Sequence, residues 1–264
     1  MTYYVVSDVH GFYTELMTAL KDKGFFEDQG PKKLVLCGDA LDRGQEVWPM
    51  VKFLLELKKN GELIFIRGNH EDLLVDFVRD FKEHKYSIAI GMSHHYSNGT
   101  FHTALQLARV TSKYALNNTD AFIQRVKRSS FYAKLLPYSV DYHEIDTHVF
   151  VHGWIPCFDV LPEPFVIGDR IYKKLDNWRE ASKYEWGKAR WLNGMECWSH
   201  GALIEGKTIV CGHWHASWGN SHIYNKGSEY GEDADFSPFI AEGIVALDAA
   251  TAASGRVNCL VIKC

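Results

Sequence analysis

Three short apolar runs, at residues 3–7, 34–37 and 63–66, recur at a spacing of roughly thirty residues, and a helical stripe follows each one. Phe12, Tyr13, Leu16, Met17 and Leu20 form the first stripe, which Gly24 closes. Val47, Trp48, Val51, Leu54 and Leu55 form the second. Pro49 falls in its first turn, and Lys58 and Lys59 fall in its last, where cations suit the helix dipole. Leu73, Leu74, Phe77, Val78 and Phe81 form the third, opened by Glu71 and Asp72. Strand then helix, three times over, is the pattern of βαβ units around a mainly parallel sheet. Such sheets hold ligands beyond the carboxyl ends of their strands.

The residues at those ends are of one kind. The first run leads into Asp8 and His10, the second into Gly38-Asp39, the third into Gly68-Asn69-His70-Glu71. Later in the chain, residues 149–151 lead into His152-Gly153, and residues 208–211 into Gly212-His213-Trp214-His215. Residues 243–247 and 259–262 read as closing strands of a second sheet. Between about 84 and 135 the pattern changes to a mostly helical insertion, punctuated by His94-His95, Asn98-Gly99 and Asn117-Asn118. The basic run 124–128 reads as a solvated helix face, and the adjacent histidines 94 and 95 as a loop feature. Residues 156–206 carry Trp178, Tyr184, Trp186, Trp191 and Trp198, aromatics for a core or for a pocket wall.

Composition sets limits on function. A chain of 264 residues that is 46% hydrophobic buries a sizeable core, here one domain with the insertion inside it. A net charge of -4 argues against a strongly basic nucleic-acid binder. It leaves a polyanionic substrate open, because bound metal ions would invert the local field. The six cysteines have no CxxC spacing and read as reduced structural thiols, which places the protein in the cytoplasm. The first residues have neither a basic nor a long apolar stretch, and no run approaches about 18 apolar residues, so no membrane span is expected.

Asp8, His10, Asp39, Asn69, His152, His213 and His215 are all oxygen or imidazole donors, without a thiolate among them. That donor set suits manganese, iron or zinc, with nickel also compatible. Seven donors are too many for one tetrahedral ion, and suit two ions that share a carboxylate. Paired ions clamp the attacking and leaving oxygens of an in-line displacement and activate water near neutral pH. Asp42 and Arg43, in VLCGDALDRG, are then free for substrate, Arg43 as a bidentate fork for phosphate.

In combination, Asp8-Val-His10, Gly38-Asp-Ala-Leu-Asp-Arg-Gly44, Gly68-Asn-His-Glu71, His152-Gly153 and Gly212-His-Trp-His215 resemble the motif set of the calcineurin-like metallophosphoesterases. The GDxxDRG and GNHE forms resemble most closely the phosphoprotein phosphatase branch, which includes bacteriophage Ser/Thr phosphatases and bacterial diadenosine tetraphosphatases. The resemblance covers the strand ends of residues 1–80 and 148–216. It implies a four-layer α/β sandwich of two mixed β-sheets flanked by helices. It also implies two divalent ions, manganese first. Asp8, His10, Asp39 and His215 would hold one, and Asp39, Asn69, His152 and His213 the other. His70 would protonate the leaving oxygen, Asp42 would orient His70, and Arg43 would grip the phosphoryl group. Branch members usually add an arginine from a later loop, and Arg190 is the candidate here. The substrate expected from motif form is a Ser/Thr phosphoprotein, with a dinucleoside tetraphosphate second and a nucleic-acid end or cyclic phosphate third. A scaffold that had lost catalysis would lack a ligand or the acid, and this sequence keeps them all.

Overall fold

The computed structural model describes residues 1–84, 92–160 and 171–264. The first strands and helices follow the apolar pattern: β1 (Thr2–Val6), α1 (Tyr13–Asp22), β2 (Lys32–Cys37), α2 (Val47–Lys59), β3 (Leu63–Ile66) and α3 (Asn69–His84). The third helix starts two residues before Glu71, which takes Asn69 and His70 into its first turn. Short helices follow: α4 (Ser93–Ser97), α5 (Thr100–Ala108), α6 (Ser112–Asn117) and α7 (Thr119–Arg128). Arg125, Lys127 and Arg128 lie on the solvent face of α7, while Phe122, Ile123 and Val126 are buried.

The second half contributes β4 (His143–Glu144), β5 (His148–Phe150), β6 (Cys157–Val160), β7 (Ile171–Lys174), α8 (Lys183–Ala189), α9 (Gly194–Ser199) and β8 (Thr208–Cys211). It ends with α10 (Ala216–His222), β9 (Phe239–Ala241), β10 (Ile244–Ala246), α11 (Thr251–Ser254) and β11 (Cys259–Lys263).

Two mixed sheets result, ordered β11-β1-β2-β3 and β4-β5-β8-β10-β9, beside a small β6-β7 pair. In the first, β1, β2 and β3 run parallel, with Val6 opposite Leu36 and Cys37 opposite Ile66. In the second, β5, β8 and β10 run parallel, with Phe150 opposite Val210 and Cys211 opposite Ala246. One expectation is corrected here. The run 259–262 closes the first sheet, because β11 pairs antiparallel with β1, Val6 against Cys259.

Val5, Val35, Cys37, Ile66, Phe150, Val210, Val245, Leu247 and Ile262 form one buried cluster drawn from both sheets. It is the seam where the sheets face each other. A second cluster joins the other face of the first sheet to α1, α2, α3 and the helices after residue 92. A third joins the second sheet to α8 and α9. Helix, sheet, sheet, helix is thus the layer order. Strands covered on both faces read as continuous apolar runs rather than alternating ones, which is why β2 and β8 stood out in the sequence. Each fully buried Val, Leu or Ile adds about 1.5–3 kcal/mol to that packing.

Candidate metal centre

The parallel registers bring the strand ends together. Backbone bonds from Asp8 N–H to the Gly38 carbonyl (3.3 Å), His10 to Asp39 (2.9 Å) and Gly11 to Ala40 (2.8 Å) zip the loop after β1 onto the loop after β2. From the second sheet, Gly212 N–H donates to the His152 carbonyl (2.7 Å) and Leu247 N–H to that of Cys211 (2.8 Å). The two groups of loops touch at Gly212, where any Cβ would strike the side chains of Ser7 and Asp8, so only glycine lets the sheets approach there.

Asp39 stands at the centre, 2% exposed. Its Oδ2 lies 3.7 Å from His10 Nε2 and 3.8 Å from His70 Nε2, while its Oδ1 lies 3.3 Å from His152 Nε2. Asn69 Oδ1 is 2.7 Å from His152 Nε2 and 3.0 Å from His213 Nδ1. Donor atoms of His10, Asp39 and His70 lie within 4.8 Å of one another, and so do those of Asp39, His152 and His213. One carboxylate therefore belongs to both groups. Its neighbours are aimed by bonds behind them. His10 Nδ1 meets the Leu41 carbonyl at 3.1 Å and His152 Nδ1 the Cys37 carbonyl at 2.8 Å. Donating Nδ1–H to a carbonyl leaves each Nε2 lone pair facing the centre.

The electrostatics suit a cation. Burial holds the Asp39 carboxyl well above its ordinary range, with Asp8 and Glu71 adding to the effect. Asp8 is pushed up to about 6, again mainly by burial. Burial pushes the His152 imidazole down to about 4 and those of His10 and His213 well below their usual value. All these shifts favour the uncharged form and mark a dry pocket, where a cation would draw the protons off both carboxylates. Oxygen and imidazole lone pairs that converge there without a thiolate fit two divalent ions. His10, Asp39, Asn69, His152 and His213 could hold them; Asp8 is in neither donor group, and its Oδ2 accepts from the Ser7 hydroxyl and from the His213 N–H at 2.9 Å.

Backbone strain is concentrated at the same place. Among the described residues nine non-glycine positions have positive φ, and Asp8, His10, Asp39, Asp42, Arg43 and His213 are six of them. Such conformations cost on the order of 1–3 kcal/mol each and cluster at functional sites.

Beside the centre, His70 Nδ1 lies 2.7 Å from Asp42 Oδ2, which also accepts from the Thr100 hydroxyl at 2.8 Å. The exposed Arg43 reaches over both imidazoles, Nη1 at 3.1 Å from His10 Nε2 and Nη2 at 3.5 Å from His70 Nε2. Two expected residues sit differently. His215 Nε2 is turned to Glu229 Oε1 at 3.0 Å, and neither donor group includes it. Arg190 is 7% exposed, and its guanidinium donates to Asp72 at 2.6 Å and to Asp141. That anchors α8 to α3.

Sequence reasoning passed over Asp248. This buried carboxyl is pushed up to about 8 by burial and by the charge of Asp8. The signal was present, since Asp248 ends the run 244–247 as the other acids end theirs. Glu71 proves to be a strap: Oε2 accepts from the N–H groups of Asp39 (2.9 Å) and Gly68 (2.8 Å), and Oε1 from that of Ala40 (3.0 Å).

Over 217 residues the chain is 24% identical to the asymmetrical bis(5'-nucleosyl)-tetraphosphatase PrpE of Oceanobacillus iheyensis, across 78% of this chain and 79% of that one. An 85-residue stretch is 35% identical to a symmetrical bis(5'-nucleosyl)-tetraphosphatase of Buchnera aphidicola, covering 32% of this chain and 30% of that protein. In such short matches the chain spans about a third of the relatives' length. A cold-active protein-tyrosine phosphatase of a psychrophilic Shewanella shares the fold. It has a TM-score of 0.50 and 17% identity over 99% of this chain and 75% of that one. The family model for calcineurin-like phosphoesterases, which normally bind a dinuclear divalent centre, matches residues 1–235, and the chain belongs to that family.

Proposed function

We propose that the protein is a two-metal phosphoesterase that hydrolyses the phosphoanhydride of a dinucleoside polyphosphate. The observation that carries the two-metal reading is Asp39, with one oxygen facing His10 and His70 and the other facing His152. Two divalent ions at such a centre supply charge against the phosphoryl oxygens and make water a competent nucleophile near neutral pH. The chain does the rest. Arg43 overhangs the centre and offers its fork to phosphoryl oxygens, as charge-spread transition states require. As an imidazolium whose Nδ1–H donates to Asp42, His70 would give its Nε2 proton to the leaving oxygen, and Asp42 would orient the ring and balance its charge. Arg190 acts from behind, through Asp72 and Asp141. The oxygen and imidazole donors favour manganese, and iron, zinc or nickel fit the same set. The six unbridged thiols suit a reducing cytoplasm.

The nucleotide reading rests on aromatics at the lip and on the tetraphosphatase relatives. Trp191 is 50% exposed with its ring 5.7 Å from that of His213, and Tyr230 is 67% exposed, 5.0 Å from His215. Exposed rings beside a phosphate site are stacking platforms for bases. A phosphoprotein phosphatase, favoured by the GDxxDRG and GNHE forms, is the second reading. Rates on diadenosine tetraphosphate, a phosphoserine peptide and a 2′,3′-cyclic nucleotide, measured side by side with manganese, decide between them. The tetraphosphate is expected to be cleaved fastest. Preference for the peptide would select the second reading, and no turnover with any divalent ion would leave a scaffold.

A further inference from the structure

Away from the strand ends, α3 and α4 bring together Asp80, His94 and His95, with ligand-type atoms all within 4.8 Å of one another. The ring of His95 is fully buried, yet among the described residues its Nδ1 has no hydrogen-bond partner. Its Nε2 meets Asp80 Oδ2 at 3.5 Å. That is long for an N–H···O bond, which centres near about 2.9–3.0 Å. It is close to the edge of a tetrahedron of nitrogen and oxygen ligands around zinc, roughly 3.4 Å for bonds of about 2.0–2.1 Å.

A buried imidazole with Nδ1 unpaired and Nε2 only loosely held by Asp80 is costly, and an ion bound at one of the two nitrogens would lower that cost. The ring of His94 lies against it, centroids 3.9 Å apart. Arg79 donates from Nε to Asp80 Oδ1 at 2.8 Å and, more loosely, from Nη2 to Oδ2 at 3.4 Å, which steadies the carboxylate with Oδ2 facing His95. Arg79 also pairs with Asp76 at 2.9 Å, so the three charges of this face sum to a net negative one. Two imidazoles and one carboxylate are a borderline donor set of the kind zinc takes, with a fourth position left to water.

We propose that Asp80, His94 and His95 form a mononuclear site for a first-row divalent ion of the zinc type, separate from the strand-end centre. The ion clips α4 to α3. This matters because α4 leads straight into Gly99 and Thr100. Gly99, at φ +86°, packs so closely that a Cβ would come within 2.7 Å of the Arg43 backbone nitrogen. Thr100 donates to Asp42. The clip therefore holds the segment against which Asp42 and Arg43 are seated.

The test counts metal. Protein stripped with a chelator, reloaded with excess zinc and passed through a desalting column is analysed by elemental mass spectrometry. Wild type is expected to hold one zinc per chain more than His94→Ala and one more than His95→Gln. The readout is this difference, so it stands whatever number of ions the strand-end centre holds. Half-buried His94 tolerates truncation, and circular dichroism checks that the variant is folded. If His95→Gln fails to fold, His94→Ala alone decides. Equal zinc in wild type and a folded His94→Ala variant overturns the proposal.

Discussion

Glu71→Gln removes one charge and almost no volume at the point where three backbone N–H groups converge. The carboxylate accepts from Asp39 and Gly68 on Oε2 and from Ala40 on Oε1. A glutamine has one acceptor oxygen. Its best choice is to point that oxygen at Asp39 and Gly68, which leaves its own N–H₂ facing the N–H of Ala40, donor against donor. A hydrogen bond to a charged group contributes about 1.5–3 kcal/mol, and a buried donor left unpaired costs about 1–3 kcal/mol. The two surviving bonds also weaken as the charge goes. A loss of about 3 kcal/mol follows, and with Glu71 only 1% exposed, water cannot make it good. For a chain of this size that is roughly 6–12 °C in Tm. Urea unfolding of the metal-free variant, compared with wild type at one pH, reads it out. A change under about 0.5 kcal/mol would show that Glu71 does not strap the loop after β2 to α3.

Three further outcomes are expected. His70→Asn should keep the bound metal while slowing substrates with poor leaving groups far more than p-nitrophenyl phosphate; equal slowing of both would remove His70 as the acid. Metal-free protein should lose stability as pH rises from about 6.5 to about 8. Asp248, raised to about 8, keeps a proton that the unfolded chain has already released, so its contribution is complete below the unfolded carboxyl pKa and fades as pH climbs through the folded value. His152, lowered to about 4, acts in the opposite sense but only below about 6.5. Denaturation midpoints across that window are the check: they should fall in wild type and fall less steeply in Asp248→Asn, where Asp39, also raised, still contributes; equal slopes in the two proteins refute the assignment. Trp191→Ala should raise KM for diadenosine tetraphosphate about 5- to 100-fold, the worth of one stacked base, and leave p-nitrophenyl phosphate alone; an unchanged KM would remove Trp191 as a platform.

Much of this was readable in the chain because parallel strands buried on both faces are continuous apolar runs, and their ends are where polar residues reappear. That rule placed Asp8, Asp39, Asn69, His152 and His213, and it extends to Asp248. What the runs do not encode is their partners. Residues 259–262 look the same whether they join the first sheet or the second, and only long-range pairing with β1 puts them in the first. Side-chain direction was equally hidden. Nothing local says that His215 turns to Glu229, fourteen residues on, or that Arg190 is taken up by Asp72 and Asp141. Nor does sequence show that the adjacent histidines 94 and 95, which looked like a loop feature, lie on α4 with one ring wholly buried against α3.

Manganese-loaded protein, examined by electron paramagnetic resonance, gives the most direct view of Asp39. Two ions sharing its carboxylate are magnetically coupled, and Asp39→Asn should abolish the coupled signal and release manganese from both positions. Two uncoupled six-line signals in wild type, or a coupled pair that survives Asp39→Asn, would mean that this aspartate does not join the two halves of the centre.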